Sequence, residues 1–121
     1  MFKDYPLPNH PQAAKAAEAA HCAGEENKYW EMHDRIFANQ QAMAVPNLKQ
    51  HATALGLDMR KFNECLDSGK HAGIVNIDFQ YGNQVGVSST PTMYINGRAL
   101  VGAQPFEMFQ QIIDEELAAR K

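Results

Sequence analysis

The sequence has 121 residues, with 11 lysines and arginines against 14 aspartates and glutamates, a net charge of −3. This length predicts one domain, and 45% hydrophobic with 21% charged residues is typical of a folded globular protein. The acidic balance gives no basic footprint for nucleic acid, and the apolar runs are too short to span a membrane. The N-terminus also lacks the charged-then-apolar pattern of a signal peptide.

The N-terminal part predicts a short strand and then a helix. Residues 2–5 alternate apolar and polar side chains, which favours a strand remnant, and a proline-rich loop follows. From Pro11 to Ala23 the chain is rich in alanine, so a first helix is expected there, ending at Gly24. The small alanine side chains would let another element approach closely.

Four further helices are predicted between the first helix and the β-hairpin described below. Asn27 is expected to cap the second helix, Pro46 to open the third and Asp58 to cap the fourth. The fifth runs from about Lys70 to Val85, with apolar side chains at helical spacing. Short loops between consecutive helices predict a helical subdomain.

The last third of the chain predicts a β-hairpin. Residues 92–95 favour a strand, and Asn96-Gly97 is typical of a two-residue turn. Residues 99–101 are expected to form the second strand. Pro91 has no N–H, so it should open the first strand or lie on its edge. The bond before a proline is more often trans than cis, and the residues alone leave both forms open.

A final amphipathic helix is expected to begin at Pro105 and to pack on a sheet. Apolar side chains recur at helical spacing along one face, and acidic side chains occupy the other. The apolar residues are Phe106, Phe109, Ile113 and Leu117.

Cys22 and Cys65 are the only cysteines of the sequence, with 42 residues between them. They are either two buried thiols or a structural disulfide that would add roughly 4 kcal/mol of stability. A reactive cysteine needs a lowered pKa, and only His21 and Lys70 lie nearby in sequence. Catalysis by this pair is therefore not expected.

The five histidines do not predict a metal site, because no two of them have a close ligand spacing. His33 is interpreted as a helix-face histidine with a hydrogen bond. We also find no glycine-rich phosphate loop, so neither a metal nor a cofactor is predicted.

A series of short motifs runs in order along nearly the whole chain and resembles the C-terminal portion of DsbA-like thiol-disulfide oxidoreductases of the thioredoxin superfamily. The motifs are Phe2-Lys3-Asp4-Tyr5-Pro6-Leu7, His10-Pro11, Ala17-Glu18-Ala19-Ala20-His21-Cys22, Trp30-Glu31-Met32-His33-Asp34, Cys65-Leu66-Asp67-Ser68-Gly69-Lys70, Gly86-Val87-Ser88-Ser89-Thr90-Pro91-Thr92, Ile95-Asn96-Gly97-Arg98 and Gly102-Ala103-Gln104-Pro105-Phe106.

The resemblance implies a mostly helical α/β protein with an incomplete thioredoxin-like fold. Residues 1–121 would be a single DsbA-like domain, with a helical subdomain at about 11–86 and the hairpin and final helix at 87–121. Family members exchange disulfides with unfolded or extended polypeptides. The resemblance places the family's cis-proline loop at Thr90-Pro91, so that Ser89, Thr90 and Pro91 would bind substrate. It also implies a periplasmic or extracytoplasmic location, which disagrees with the missing export signal.

One departure from the family concerns the reactive cysteines, since the sequence contains no Cys-x-x-Cys. The family carries this pair on a strand and helix upstream of the segment that residues 2–5 resemble. We therefore expect no catalytic residue and negligible exchange activity from this chain alone. The alternatives are a non-catalytic peptide-binding module that uses the same loop, and a truncated product with no independent role.

The shortage of strands predicts self-association. A lone hairpin is marginal in water, and the strand that begins at Thr92 would have an exposed edge. We expect a homo-oligomer that forms edge to edge, by exchange of the N-terminal segment, or through helix faces that bury Trp30 or Phe106.

Overall fold

The computed structural model describes residues 1–120, which form six helices and two strands. The elements are α1 Ala13–Gly24, α2 Tyr29–Ala38, α3 Val45–Ala54, α4 Met59–Ser68, α5 Ala72–Gln84, β1 Thr92–Ile95, β2 Arg98–Val101 and α6 Phe106–Ala119. This confirms the mostly helical α/β class with a hairpin and a C-terminal helix. The chain divides into two compact units, Met1–Tyr81 (unit 1) and Gly82–Lys121 (unit 2). The assignment to a single domain stays a prediction.

The core of unit 1 lies where α1 to α4 meet. Four alanines of α1 are buried, so their small side chains allow the other helices to approach. Larger apolar side chains fill the remaining space, and burial of each contributes about 2–3 kcal/mol. The largest fully buried side chains include Met32, Leu48, Phe62 and Leu66.

Both ends of α4 follow from the sequence. The Asp58 carboxylate accepts hydrogen bonds from the backbone N–H groups of Arg60 (3.1 Å) and Lys61 (3.3 Å), which confirms the predicted cap. Gly69 ends the helix with a positive φ of 68°, a conformation that costs glycine little.

The predicted cap of α2 is wrong. Asn27 has a φ of 62°, and its N–H donates a hydrogen bond to the carbonyl of Gly24 (3.1 Å). The helix begins at Tyr29, after Lys28, without a side-chain cap. Asparagine tolerates the left-handed region and so forms the turn that leaves α1 instead.

The predicted N-terminal strand is also wrong, since residues 2–5 have no strand assignment. The Asp4 N–H donates to the Asp78 carboxylate (3.1 Å), and the Tyr5 ring stacks on Phe79 with centroids 4.7 Å apart. A strand needs a neighbouring strand for its backbone groups, and here the Asp78 carboxylate of α5 accepts the backbone N–H of Asp4 instead.

Unit 2 contains the hairpin and α6. The strands are antiparallel, with Ile95 opposite Arg98 across the turn. Asn96 and Gly97 have φ values of 50° and 83°, as the predicted turn requires. The helix α6 forms as expected, but none of its residues is buried. Phe109 and Ile112 of this helix are half-buried, and its packing on a sheet stays a prediction.

Candidate functional site

The loop before β1 contains the three predicted binding residues. The Thr90–Pro91 peptide bond is cis, and Pro91 directly precedes the strand. Thr90 and Pro91 are exposed, while Ser89 is half-buried. The structure thus brings Ser89, Thr90 and Pro91 together on one accessible loop.

Hydrogen bonds hold this loop on both sides of the proline. The Thr92 hydroxyl donates to the carbonyl of Ser89 (2.7 Å). The Gly102 N–H donates to the carbonyl of Pro91 (2.8 Å), which continues the hairpin ladder by one residue. The Tyr94 hydroxyl donates to the carbonyl of Val85 (2.9 Å), at the start of the loop. Loop and hairpin therefore form one connected element.

The strand β1 also presents backbone groups at its outer edge. Because Pro91 pairs with Gly102 by a hydrogen bond, the alternation of an antiparallel ladder turns the N–H and C=O of Thr92 and Tyr94 away from β2. Among the described residues, β1 pairs only with β2. This edge can therefore accept an extended segment.

A second cluster lies in unit 1, where a disulfide joins Cys22 of α1 to Cys65 of α4. Of the two alternatives that the sequence leaves open, the structure has the bonded pair. Both residues are buried, with 2% and 5% exposed surface. Neither one presents a free thiolate, which thiol–disulfide exchange needs as its nucleophile.

Charged side chains surround this disulfide. Glu25 forms an ion pair with Lys70, and Glu25 Oε2 lies 3.7 Å from His71 Nε2. The hydrogen bond from Lys70 holds the pKa of the Glu25 carboxyl below its ordinary value. Donor atoms of Cys22, Cys65 and His71 lie within 4.8 Å of one another.

The convergence of His71 with the cysteines is not visible in the sequence. Its spacing from the other histidines is uninformative, and the contact depends on the turn that joins α4 to α5. The sequence does offer one signal for this turn, which is Gly69. It ends α4 four residues after Cys65, so that the chain can reverse direction before α5.

A third group of polar side chains links the N-terminal segment to the helices. His21 Nε2 and Asp4 Oδ2 are 2.6 Å apart, and the Tyr29 ring lies 5.3 Å from the His21 ring. Burial, followed by the charges of Asp4 and Asp78, raises the pKa of the Tyr29 phenol to about 12. His33 lies nearby on α2 and is hydrogen-bonded to Asp34 (2.9 Å), as interpreted from the sequence.

The comparison with known proteins identifies the family. The family described as thioredoxin matches residues 1–115. The chain belongs to the thioredoxin family. In the described residues, no helix is both long and apolar enough to cross a membrane.

Similar proteins include three named as Na⁺/H⁺ antiporters. The antiporter NhaA 3 of Salinispora tropica is 34% identical over the whole chain, which covers 19% of that protein. NhaA 1 of Salinispora arenicola is 33% identical with the same coverage. NhaA of Herminiimonas arsenicoxydans is 34% identical over 80% of the chain and 16% of its own length. The chain therefore spans less than a fifth of these relatives.

Proposed function

We propose that this thioredoxin-family chain is DsbA-like and serves thiol–disulfide exchange by binding the polypeptide substrate. The observation that carries the proposal is the loop of Ser89, Thr90 and Pro91, in which Thr90 and Pro91 are exposed. It leads directly into β1, whose outer edge pairs with no other strand of the described residues. In this proposal an extended substrate segment runs alongside Ser89 and Thr90, and backbone hydrogen bonds provide the affinity, as in strand addition generally.

The chemistry of exchange supports a binding role. Exchange needs a thiolate that attacks a disulfide sulfur. The chain has no Cys-x-x-Cys, and its two cysteines are bonded to each other in the core of unit 1. The residues of this chain would therefore hold the substrate, while the attacking thiolate would come from a Cys-x-x-Cys that this sequence does not contain.

Binding of a fluorescent, cysteine-free extended peptide tests the proposal. We expect saturable binding that Pro91→Ala weakens about tenfold or more, because alanine gives the loop the backbone freedom that the proline ring removes. Pro8→Ala is the matched control, since Pro8 is an exposed loop proline of unit 1. Equal affinity of both variants, or no binding by the native chain, would overturn the proposal.

Turnover of a model disulfide substrate tests the absence of intrinsic activity. We expect the chain alone to match a variant in which Cys22 and Cys65 are both replaced by serine. Turnover well above that variant would show that the buried pair reacts, contrary to a pure binding role.

A second candidate function is a non-catalytic interaction module that uses the same loop. The bonded and buried state of both cysteines favours it. The two functions differ in the step after peptide binding. With a peptide that carries a disulfide and a separate, reduced Cys-x-x-Cys protein as the attacking thiolate, this chain should accelerate reduction of the peptide disulfide if the first function holds, and should leave the rate unchanged if the second holds.

The relatives suggest one partner. Because similar stretches occur within proteins named as Na⁺/H⁺ antiporters, we propose an association with an antiporter as a context for the domain. Reading the coding frame on both sides of this sequence tests that context. An antiporter sequence in the same frame would support it, and frames closed on both sides would remove it.

Self-association remains a prediction. The unpaired edge of β1 and the exposed Phe106, Ile113 and Leu117 of α6 support it. Light scattering at micromolar concentration should give a mass above that of one chain. A monodisperse monomer would contradict this expectation.

A further inference from the structure

The disulfide of unit 1 has a histidine beside it. One donor atom from each of Cys22, Cys65 and His71 lies within 4.8 Å of the other two. Two thiolates and an imidazole are a common ligand set for Zn²⁺, which leaves a fourth position for water or another side chain. The three side chains reach this point from α1, α4 and the start of α5.

His71 has an unused donor or acceptor at this place. Its Nε2 atom is buried and has no hydrogen-bond partner among the described residues. The Glu25 Oε2 atom lies 3.7 Å from it, beyond hydrogen-bonding distance. Buried polar atoms are normally satisfied, so this ring nitrogen is unusual and is free to act as a ligand once the disulfide is reduced.

A route from solvent leads to the cysteine pair. A cleft of about 390 Å³ is lined by Cys65, Ser68, the carboxylates of Glu25 and Glu64, and two lysines. Because Cys65 lines this cleft, a small reductant can reach it. Glu25 also lies beside one of the three ligands, because its Oε2 atom is 3.7 Å from His71 Nε2.

We propose that Cys22, Cys65 and His71 form a redox-controlled zinc site. The site cannot bind metal while the two cysteines form a disulfide, and it binds one Zn²⁺ when that disulfide is reduced. A dithiol reductant supplies two electrons and two protons to the S–S bond and leaves as its own disulfide. The two thiols then bind Zn²⁺ as thiolates and release their protons to solvent. The site goes beyond the proposed function and does not depend on peptide binding.

Zinc uptake by the purified chain tests the proposal. The oxidised protein, and the protein reduced with a phosphine, are each titrated with Zn²⁺ against a chromophoric chelator. We expect one Zn²⁺ per reduced chain and none for the oxidised chain. Co²⁺ in place of Zn²⁺ should give the sulfur-to-cobalt absorption bands of a tetrahedral thiolate site.

Histidine variants distinguish a folded site from loose binding by thiols. His71→Ala should weaken Zn²⁺ binding about tenfold or more. His33→Ala should leave it unchanged, and it is matched in exposure, with 21% of its side chain exposed against 23% for His71. Circular dichroism of each reduced variant checks folding, and Zn²⁺ should raise the melting temperature of the reduced native chain.

Three results would contradict the zinc site. One is the absence of Zn²⁺ uptake by the reduced native chain. Another is equal affinity of the native chain and His71→Ala, which would assign the binding to the cysteines alone. A reduced chain that unfolds and is not refolded by Zn²⁺ would also count against the proposal.

Discussion

The helix α4 in the core of unit 1 and the helix α6 of unit 2 differ in the exposure of their apolar side chains. In unit 1, Phe62 and Leu66 are buried with at most 1% exposed surface, and a disulfide joins two of the helices. In unit 2, α6 has no buried residue, and Phe106 is 74% exposed. Unit 1 is therefore stabilised by a buried core, whereas α6 of unit 2 exposes apolar side chains, as the proposed contact with another polypeptide would require.

Removal of the disulfide should cause the largest loss of stability, and that loss should fall on unit 1. Replacing Cys22 and Cys65 together by serine frees a loop of 42 intervening residues, so the free energy of unfolding should fall by about 4 kcal/mol. Guanidinium unfolding followed by helical circular dichroism measures the change. A loss of less than about 1 kcal/mol would mean that the packing of α1 against α4 suffices without the bond.

A pair of leucine variants compares the two units directly. Leu66→Ala removes a fully buried side chain from the core of unit 1 and should cost about 3 kcal/mol. Leu117→Ala removes a side chain of α6 that is 57% exposed and should cost less than about 0.5 kcal/mol. Equal costs would show that Leu117 is buried in solution, for example in an oligomer.

Tyr29 offers a smaller effect that reports on unit 1 alone. Its folded pKa of about 12 lies above the ordinary value of 10.0, because burial disfavours the phenolate. The stabilisation of the neutral phenol is therefore fully present below pH 10 and is lost as the pH rises through about 12. The phenolate absorbance of the native chain minus that of Tyr29→Phe should show this midpoint. A midpoint near 10 would place Tyr29 in solvent.

Local signals in the sequence predicted those elements that local interactions determine. The Asp58 cap and the turn at Asn96-Gly97 depend on residues within a few positions, and both are confirmed. The prediction of a helix cap at Asn27 was wrong, because asparagine is common both at helix caps and in left-handed turns. The neighbouring fold, and not the residue, selects between these two uses.

Interactions between distant residues account for the features that the sequence did not predict. Asp4 and Tyr5 contact α5 more than 70 positions away, which replaced the expected strand. The pairing of Cys22 with Cys65 stayed open, and the place of His71 beside them was missed. The resemblance marked Thr90-Pro91 as the family's cis-proline loop, and the structure has the cis bond, whereas the residues alone left both forms open. The binding role of this loop stays a prediction.

The most direct test of the proposed binding role maps peptide binding onto the backbone by NMR. Titration of the isotopically labelled chain with an extended, cysteine-free peptide should shift the amide signals of Ser89, Thr90 and Thr92. The amides of Leu48 and Leu66 in the core of unit 1 should stay in place. Shifts concentrated in unit 1, or no shifts at saturating peptide, would contradict the assignment of substrate binding to the proline loop.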